Sequence, residues 1–172
     1  MPAFSLRPFV LSDKNSLASH ANSKAVWKGV RDIFPFPYSA QDAENFIEYA
    51  LSTTTEKIYA IDIDGEAVGA IGLHLKTDVD RLNGEIGYWL GVKYQGQGIA
   101  TQAVAQIVSI AFNDFKLLRV YADVFSNNPS SARVLEKNGF VFEARLSKAI
   151  IKNNQILDLL IFSKINPNWK LT

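Results

Sequence analysis

The sequence contains no cysteine, one methionine and two histidines among 172 residues. Without thiols, a disulfide framework, a thiolate metal site and a cysteine nucleophile are all excluded, and the composition suits a reducing compartment, with the cytoplasm expected. His20 and His74 stand far apart and lack a carboxylate at metal-ligand spacing, so no metal is expected. No apolar run approaches the roughly 20 residues that a spanning helix needs, and Met1 to Arg7 lacks a basic stretch followed by an apolar one. Neither a membrane span nor a leader is therefore expected. A basic stripe is missing too: the net charge is +1 with Lys and Arg scattered, which gives nucleic-acid or membrane-surface binding no electrostatic support.

What is present is an ordinary globular composition, 48% hydrophobic, with no internal repeat, low-complexity tract or linker. The length fits one domain spanning residues 1–172. Phe4 to Arg7 reads as a strand, Ser12-Asp13 opens a short helix toward Ala21, and Lys24 to Val30 is a second short amphipathic stretch. Two prolines in Ile33-Phe34-Pro35-Phe36-Pro37-Tyr38 forbid regular helix there. That apolar loop is either a substrate wall, with Phe34 and Tyr38 facing an acceptor, or a plug over the core. Ser39 and Asp42 form a capping box before a helix running through Thr53. Asp64-Gly65 between Lys57–Ile63 and Glu66–Leu75 signals a hairpin. A strand Glu85–Val92, a helix Gly98–Phe112 and a strand Arg119–Val124 follow, the two strands being parallel neighbours by their crossover. Asn128-Pro129 starts a helix that Gly139 ends, and Phe140–Ile151 with Ile156–Ile165 close the chain as a hairpin. The order describes an α+β domain with one mixed sheet.

Asn83 to Phe112 carries the chemistry. A loop with Gly96 and Gly98 directly before a helix exposes unpaired N–H groups at the positive end of the helix dipole, which suits phosphate or pyrophosphate. A Walker A loop needs Lys-Ser or Lys-Thr after its last glycine, where this chain has Ile99-Ala100. A dinucleotide fingerprint needs a small third residue where Thr101 stands, and belongs in the first β-α unit rather than after a hairpin. Gln95-x-x-Gly98-x-Ala100 instead matches the Q/R-x-x-G-x-G/A coenzyme A motif.

With that motif stand E-I-G-Y-W-L, the loop P-F-P-Y-S, the segment N-N-P-S-S-A-R-V-L-E-K-N-G-F and D-L-L-I-F-S near the end. Together they resemble the GNAT superfamily of N-acetyltransferases, specifically the branch of the ribosomal-protein alanine N-acetyltransferases, over nearly the whole chain. The resemblance implies a GNAT-type fold: a mixed, mostly antiparallel sheet of about seven strands with flanking helices and a splayed parallel pair. It implies acetyl-CoA as co-substrate, with main-chain groups of Leu90 and Val92 toward the pantetheine arm and the amides of Gln95, Gly96, Gln97, Gly98, Ile99 and Ala100 around the pyrophosphate.

Direct acetyl transfer to an amine needs a neutral nucleophile, a polarised thioester carbonyl and a proton for the thiolate. By resemblance Glu85 is the base, working through water or with a pKa raised by burial. Asn128 would contact the coenzyme and Ser131 would act as the acid; Asn128 fits equally as a helix N-cap and Ser131 as a first-turn hydroxyl. Many relatives place a thiolate-protonating tyrosine where this chain has Phe162, which shifts that role to Ser131 or water. Tyr88 and Trp89 alternate, so that one packs in the core and the other approaches the acceptor, with Trp89 assigned to the substrate side. Asp158 is a candidate for binding the substrate ammonium. The expected acceptor is a primary amine, a protein N-terminus by resemblance or a small molecule such as a polyamine, amino acid or antibiotic. A non-catalytic acyl-CoA-binding module is the rival of a different class, and a monomer or homodimer is expected.

Overall fold

The structure, a computed structural model, describes residues 3–170. Its elements in chain order are β1 (Ser5–Arg7), α1 (Lys14–Ala21), α2 (Lys24–Trp27), α3 (Ala40–Ser52), β2 (Glu56–Ile63), β3 (Glu66–Leu75), β4 (Asn83–Leu90), α4 (Ile99–Asn113), β5 (Arg119–Phe125), α5 (Pro129–Lys137), β6 (Val141–Lys152) and β7 (Gln155–Ile165). Among the described residues seven strands form one sheet in the order β1-β2-β3-β4-β5-β7-β6. Every neighbouring pair is antiparallel except β4 and β5, the parallel pair that the crossover through α4 requires.

Local chemistry accounts for the element ends. The Asp42 amide donates to Ser39 Oγ at 3.2 Å and the Ser39 amide donates to Asp42 Oδ2 at 2.8 Å, a reciprocal box that satisfies two orphan donors of α3. Asp64 and Gly65 both have positive φ, 53° and 87°, and turn β2 into β3; Asn153 and Asn154, at 50° and 57°, do the same between β6 and β7. Asn128 Oδ1 accepts from the Ser131 amide at 3.2 Å, Pro129 opens α5, and Gly139 follows it with φ 76°. The amphipathic stretch at Lys24 keeps only one helical turn, ending at Trp27.

Alternation along the strands feeds two cores. Ile61, Ile71, Leu73, Ile86, Val120 and Ala122 pack under α4 and α5, while Ala60, Ala67 and Ala70 meet Leu17, Ala21, Ala43 and Ile47 of α1 and α3. Ile99, Ala103, Val104, Ile107, Val108 and Ala111 give α4 its buried stripe. Each large aliphatic side chain there contributes on the order of 1.5–3 kcal/mol by leaving water, which holds the N-terminus of α4 at a fixed place beside the sheet.

That place matters because β4 and β5 pair only over Asn83↔Arg119, Gly84↔Val120 and Glu85↔Tyr121. Beyond that point β4 stays with β3 as far as Gly69↔Leu90, and β5 stays with β7 as far as Phe125↔Leu159. Each strand is held by its outer partner, so the two part from each other. Their facing edges are left with main-chain donors and acceptors that have no strand partner. The strand expected to run to Val92 ends at Leu90, and Val92 begins a short 3-10 turn that leads into the glycine loop.

Candidate active site

The parting strands open a cavity of about 970 Å³. Its lining joins the glycine turn, the splayed strands, the start of α5 and the loop after α2, elements spread over most of the chain. At one end Gly96 and Gly98 take left-handed conformations, φ 73° and 81°, and Gly98 is the N-cap of α4 with no side chain capping it. No acidic residue occupies the first turn of α4, so the positive end of a 15-residue helix faces the cavity without an internal anion. A Cβ on Gly96 would meet nothing within 4 Å, so the open space here lies outside the turn. Gln95 Nε2 donates to the Leu90 carbonyl at 2.8 Å and pins the turn to the end of β4. Lys28, Arg133 and Lys137 line the same cavity and add positive charge.

The other end lies on the opposite face of β4. Glu85, Gly87 and Trp89 share that face by alternation, as do Tyr121 and Asp123 on β5. Gly72 and Gly87 sit side by side in the ladder and form a bare floor. A methyl group built on Gly87 would find only His74 Nε2, at 3.7 Å. His74 borders the floor and its Nδ1 lies 2.9 Å from Glu56. Trp89 and Phe34 close the far side, ring centroids 5.4 Å apart and edge-on. The loop bearing Phe34 is tied down by Lys152 of the β6–β7 hairpin, whose Nζ lies 2.6 Å from Asp32 and 3.9 Å above the Trp27 ring centroid.

Charge is concentrated where the strands part. Lys76 Nζ donates to Glu85 Oε2 at 2.9 Å, and the Tyr121 hydroxyl reaches the same oxygen at 3.3 Å. Arg31 Nη2 lies 3.6 Å from Glu85 and 3.0 Å from Asp123. Burial pushes the Glu85 carboxyl up, but the Lys76 hydrogen bond and the charges of Lys76, Arg31 and His74 outweigh it, and the group is held below the ordinary carboxylate value. The rise that burial alone would give Glu85 is thus opposed by its cationic neighbours. Asp123 shifts the opposite way: burial and the nearby Glu85 charge raise it against the opposing pull of Arg31 and Lys76. On the α4 face of β4, the Tyr88 hydroxyl lies 2.9 Å from Ser131 Oγ, and burial pushes the Tyr88 pKa up to about 12.

Several expected site residues meet in this cavity: Glu85, Leu90, Gln95, Gly96, Gly98, Ile99, Ala100, Asn128, Ser131, Phe34 and Trp89 line it. Others fall elsewhere. Tyr38 is 5% exposed, stacked on Phe34 at 4.5 Å within the α1–α3 core, so the proline loop is wall on one side and plug on the other. Asp158 accepts from the Lys148 amide at 2.7 Å and pairs with Arg145, which ties its carboxylate into the β6–β7 hairpin and away from the cavity lining. Val92 and Gln97 are outside the lining as well; Gln97 Nε2 turns back to the Lys93 carbonyl. Phe162 is 3% exposed, packed on Phe142. Tyr88 and Trp89 both reach the cavity, from opposite faces of β4. Sequence reasoning missed Arg31 and Asp123, which no local motif marks.

Residues 4–141 match the family described as Acetyltransferase (GNAT) domain. The chain belongs to the GNAT acetyltransferase family. It is 30% identical over 142 residues to an uncharacterized N-acetyltransferase derived from the SPbeta prophage of Bacillus subtilis, covering 81% of this chain and 78% of that one. Against the ribosomal-protein-serine acetyltransferase of Escherichia coli it is 30% identical over 109 residues, 63% of this chain and 60% of the relative. A solved structure of a microcin C7 self-immunity acetyltransferase in complex with acetyl-CoA and AMP superposes with a TM-score of 0.82 at 25% identity, covering 95% of this chain and 92% of the other. The parallel pair and flanking helices of this GNAT domain thus have counterparts in a known acetyltransferase. Among the described residues no group of three His, Cys, Asp or Glu is placed to hold a metal, and no helix is long and apolar enough to cross a membrane.

Proposed function

We propose that the protein transfers the acetyl group of acetyl-CoA to a primary amine by direct attack in a ternary complex. One observation carries this reading: a single cavity runs from the uncapped N-terminus of α4, through the gap between β4 and β5, to the carboxylates at their fork. Amides of Gly96 to Ala100, with Lys28, Arg133 and Lys137, are suited to hold the phosphates of coenzyme A. The strand gap offers main-chain groups to its pantetheine arm. Ser131, with Tyr88 at its hydroxyl, stands ready to supply a proton to the departing thiolate. Glu85, held by Lys76 and Tyr121, stays ionised beneath the amine and offers its negative charge to the acceptor end.

A protein or peptide N-terminal amine is the favoured acceptor, in keeping with the ribosomal-protein-serine acetyltransferase among the relatives. The paired carboxylates Glu85 and Asp123 also favour a second reading, a small polyamine whose several cations would be attracted to that end of the cavity. Thermal shift separates ligand classes first: acetyl-CoA and CoA raise the midpoint, whereas ATP and NAD leave it unchanged. Gly98→Trp, which forces a bulky side chain into a left-handed position at the turn, abolishes the shift with acetyl-CoA. Stabilisation by ATP or NAD in place of acetyl-CoA rejects the reading. Cofactor binding with no turnover on peptides, polyamines or aminoglycosides identifies a binding module instead.

A further inference from the structure

Among the described residues Arg31 is an odd member of the cavity wall. Its side chain is 61% exposed, yet one guanidinium nitrogen touches two carboxylates, 3.0 Å from Asp123 Oδ2 and 3.6 Å from Glu85 Oε1. It reaches them from a loop 92 residues away in sequence from Asp123. Two carboxylates that converge on one cation form a site for a cation, and the guanidinium in it is attached to a mobile type of side chain that can leave. The site lies one strand step past Glu85↔Tyr121, the last pair before β4 and β5 part, beside the bare Gly72–Gly87 floor.

We infer that Glu85 and Asp123 together form the subsite for the acceptor ammonium, that Arg31 occupies it as a tethered stand-in, and that Asp123 is the residue that takes the ammonium proton. The assignment rests on the acetyl-transfer reading and divides its two carboxylate tasks. Lys76 and Tyr121 already engage Glu85, which keeps it ionised as the fixed anion. Asp123 faces Glu85 from β4, Arg31 from the loop, Lys76 from the end of β3 and Tyr121 on its own strand. Burial and the Glu85 charge outweigh the two cations there, and its proton affinity is raised. Glu85 keeps Lys76 and Tyr121 when Arg31 leaves, whereas Asp123 loses its Arg31 partner and is free to meet the ammonium. The arriving ammonium displaces Arg31, gives one proton to Asp123 and becomes a neutral amine. Its nitrogen forms the C–N bond to the acetyl carbonyl carbon, the C–S bond breaks, and the second proton lost by nitrogen balances the one taken up by the coenzyme thiolate.

The test is kcat/KM against pH for wild type, Asp123→Asn, Glu85→Gln and Arg31→Gln, with spermidine and a serine-initiated peptide as acceptors and acetyl-CoA affinity measured by calorimetry alongside. Asp123→Asn loses about 100-fold or more in kcat and loses the acid limb of the profile, with acetyl-CoA affinity within twofold of wild type. Glu85→Gln removes a neighbouring negative charge and moves the acid limb to lower pH; Arg31→Gln removes a positive one, moves the limb to higher pH and lowers the acceptor KM. Carbon-13 carboxyl titration of the wild type, which needs no substitution, finds Asp123 above the ordinary aspartate range and Glu85 below the ordinary glutamate range. An Asp123→Asn enzyme that keeps its rate and acid limb overturns the assignment, as does an unshifted Asp123 carboxyl. A wild type that binds acetyl-CoA but acetylates neither acceptor overturns the acetyl-transfer reading itself.

Discussion

Filling the floor of the acceptor end isolates that end from the rest of the molecule. Gly87 lies in β4 opposite Gly72, and a Cβ added to it meets nothing nearer than His74 Nε2 at 3.7 Å, an ordinary contact. Its backbone is not left-handed, so an L side chain fits without strain. Gly87→Ala therefore keeps the fold, and by lowering the entropy of the unfolded chain it stabilises by about 0.4–1 kcal/mol. For a domain of this size that corresponds to a Tm higher by roughly 1–4 °C. Gly87→Val places three carbons where the acceptor is expected. An intrusion of that size into a fitted site costs about 1–3 kcal/mol, which lowers kcat/KM for the acceptor roughly 5- to 150-fold. The α4 turn lies outside this substitution, so acetyl-CoA affinity stays within twofold. Thiol release at saturating acetyl-CoA with varied acceptor, run beside calorimetry and thermal melts, separates the three quantities. A valine variant with normal acceptor kcat/KM would refute the placement of the acceptor over Gly72 and Gly87. Equal loss of acetyl-CoA affinity would refute the division of the cavity into two ends.

Three further outcomes follow from the charge pairs and caps. Asp13 is 4% exposed and accepts from both Arg7 terminal nitrogens, at 2.7 and 2.8 Å, and from the Val10 amide at 2.9 Å. Asp13→Ala removes one of the two carboxylates that hold Arg7, leaving Asp62, and costs about 1.5–3 kcal/mol, seen in urea titration. Burial pushes the Asp13 carboxyl up, but Arg7 and the Val10 amide hold it below its ordinary value. Its stabilisation is thus present above the unfolded pKa and is lost as pH falls through the folded one, so the variant has a flatter acid stability profile than wild type. Lys76→Met removes the principal charge holding Glu85 down, and carbon-13 titration finds the Glu85 carboxyl higher than in wild type; no change would assign the depression to another group. Asn128→Ala removes the α5 cap and costs about 1 kcal/mol in thermal or urea melts, whereas an unchanged midpoint would mean that the cap adds nothing.

Features written in adjacent residues were legible in the sequence. The Ser39–Asp42 box, the Asp64-Gly65 turn and the Asn128-Pro129 start of α5 are local hydrogen-bond chemistry, and each holds where its residues stand. The glycine turn was legible for the same reason, because positive φ and a bare helix N-terminus leave few residue choices. What escaped depends on distant parts of the chain. Arg31 and Asp123 meet only because β5 is laid beside β4 through α4 and the loop after α2 is folded across the fork. β4 ends two residues before the expected Val92: the Gly91 amide donates to the Val68 carbonyl and the chain then turns, although Leu90-Gly91-Val92 is apolar enough to continue a strand. Tyr38 and Asp158 have the residue types of a substrate wall and an ammonium ligand. Packing against Phe34 and pairing with Arg145, neither visible in local pattern, decide their positions.

The most direct measurement is amine-dependent turnover resolved by mass. Incubating the protein with acetyl-CoA and a serine-initiated peptide, with spermidine in parallel, yields one free CoA thiol for each acetylated amine and leaves the protein unmodified, as direct transfer requires. Acetyl-CoA binding without amine-dependent thiol release, or an acetylated protein that forms before the product, contradicts the account.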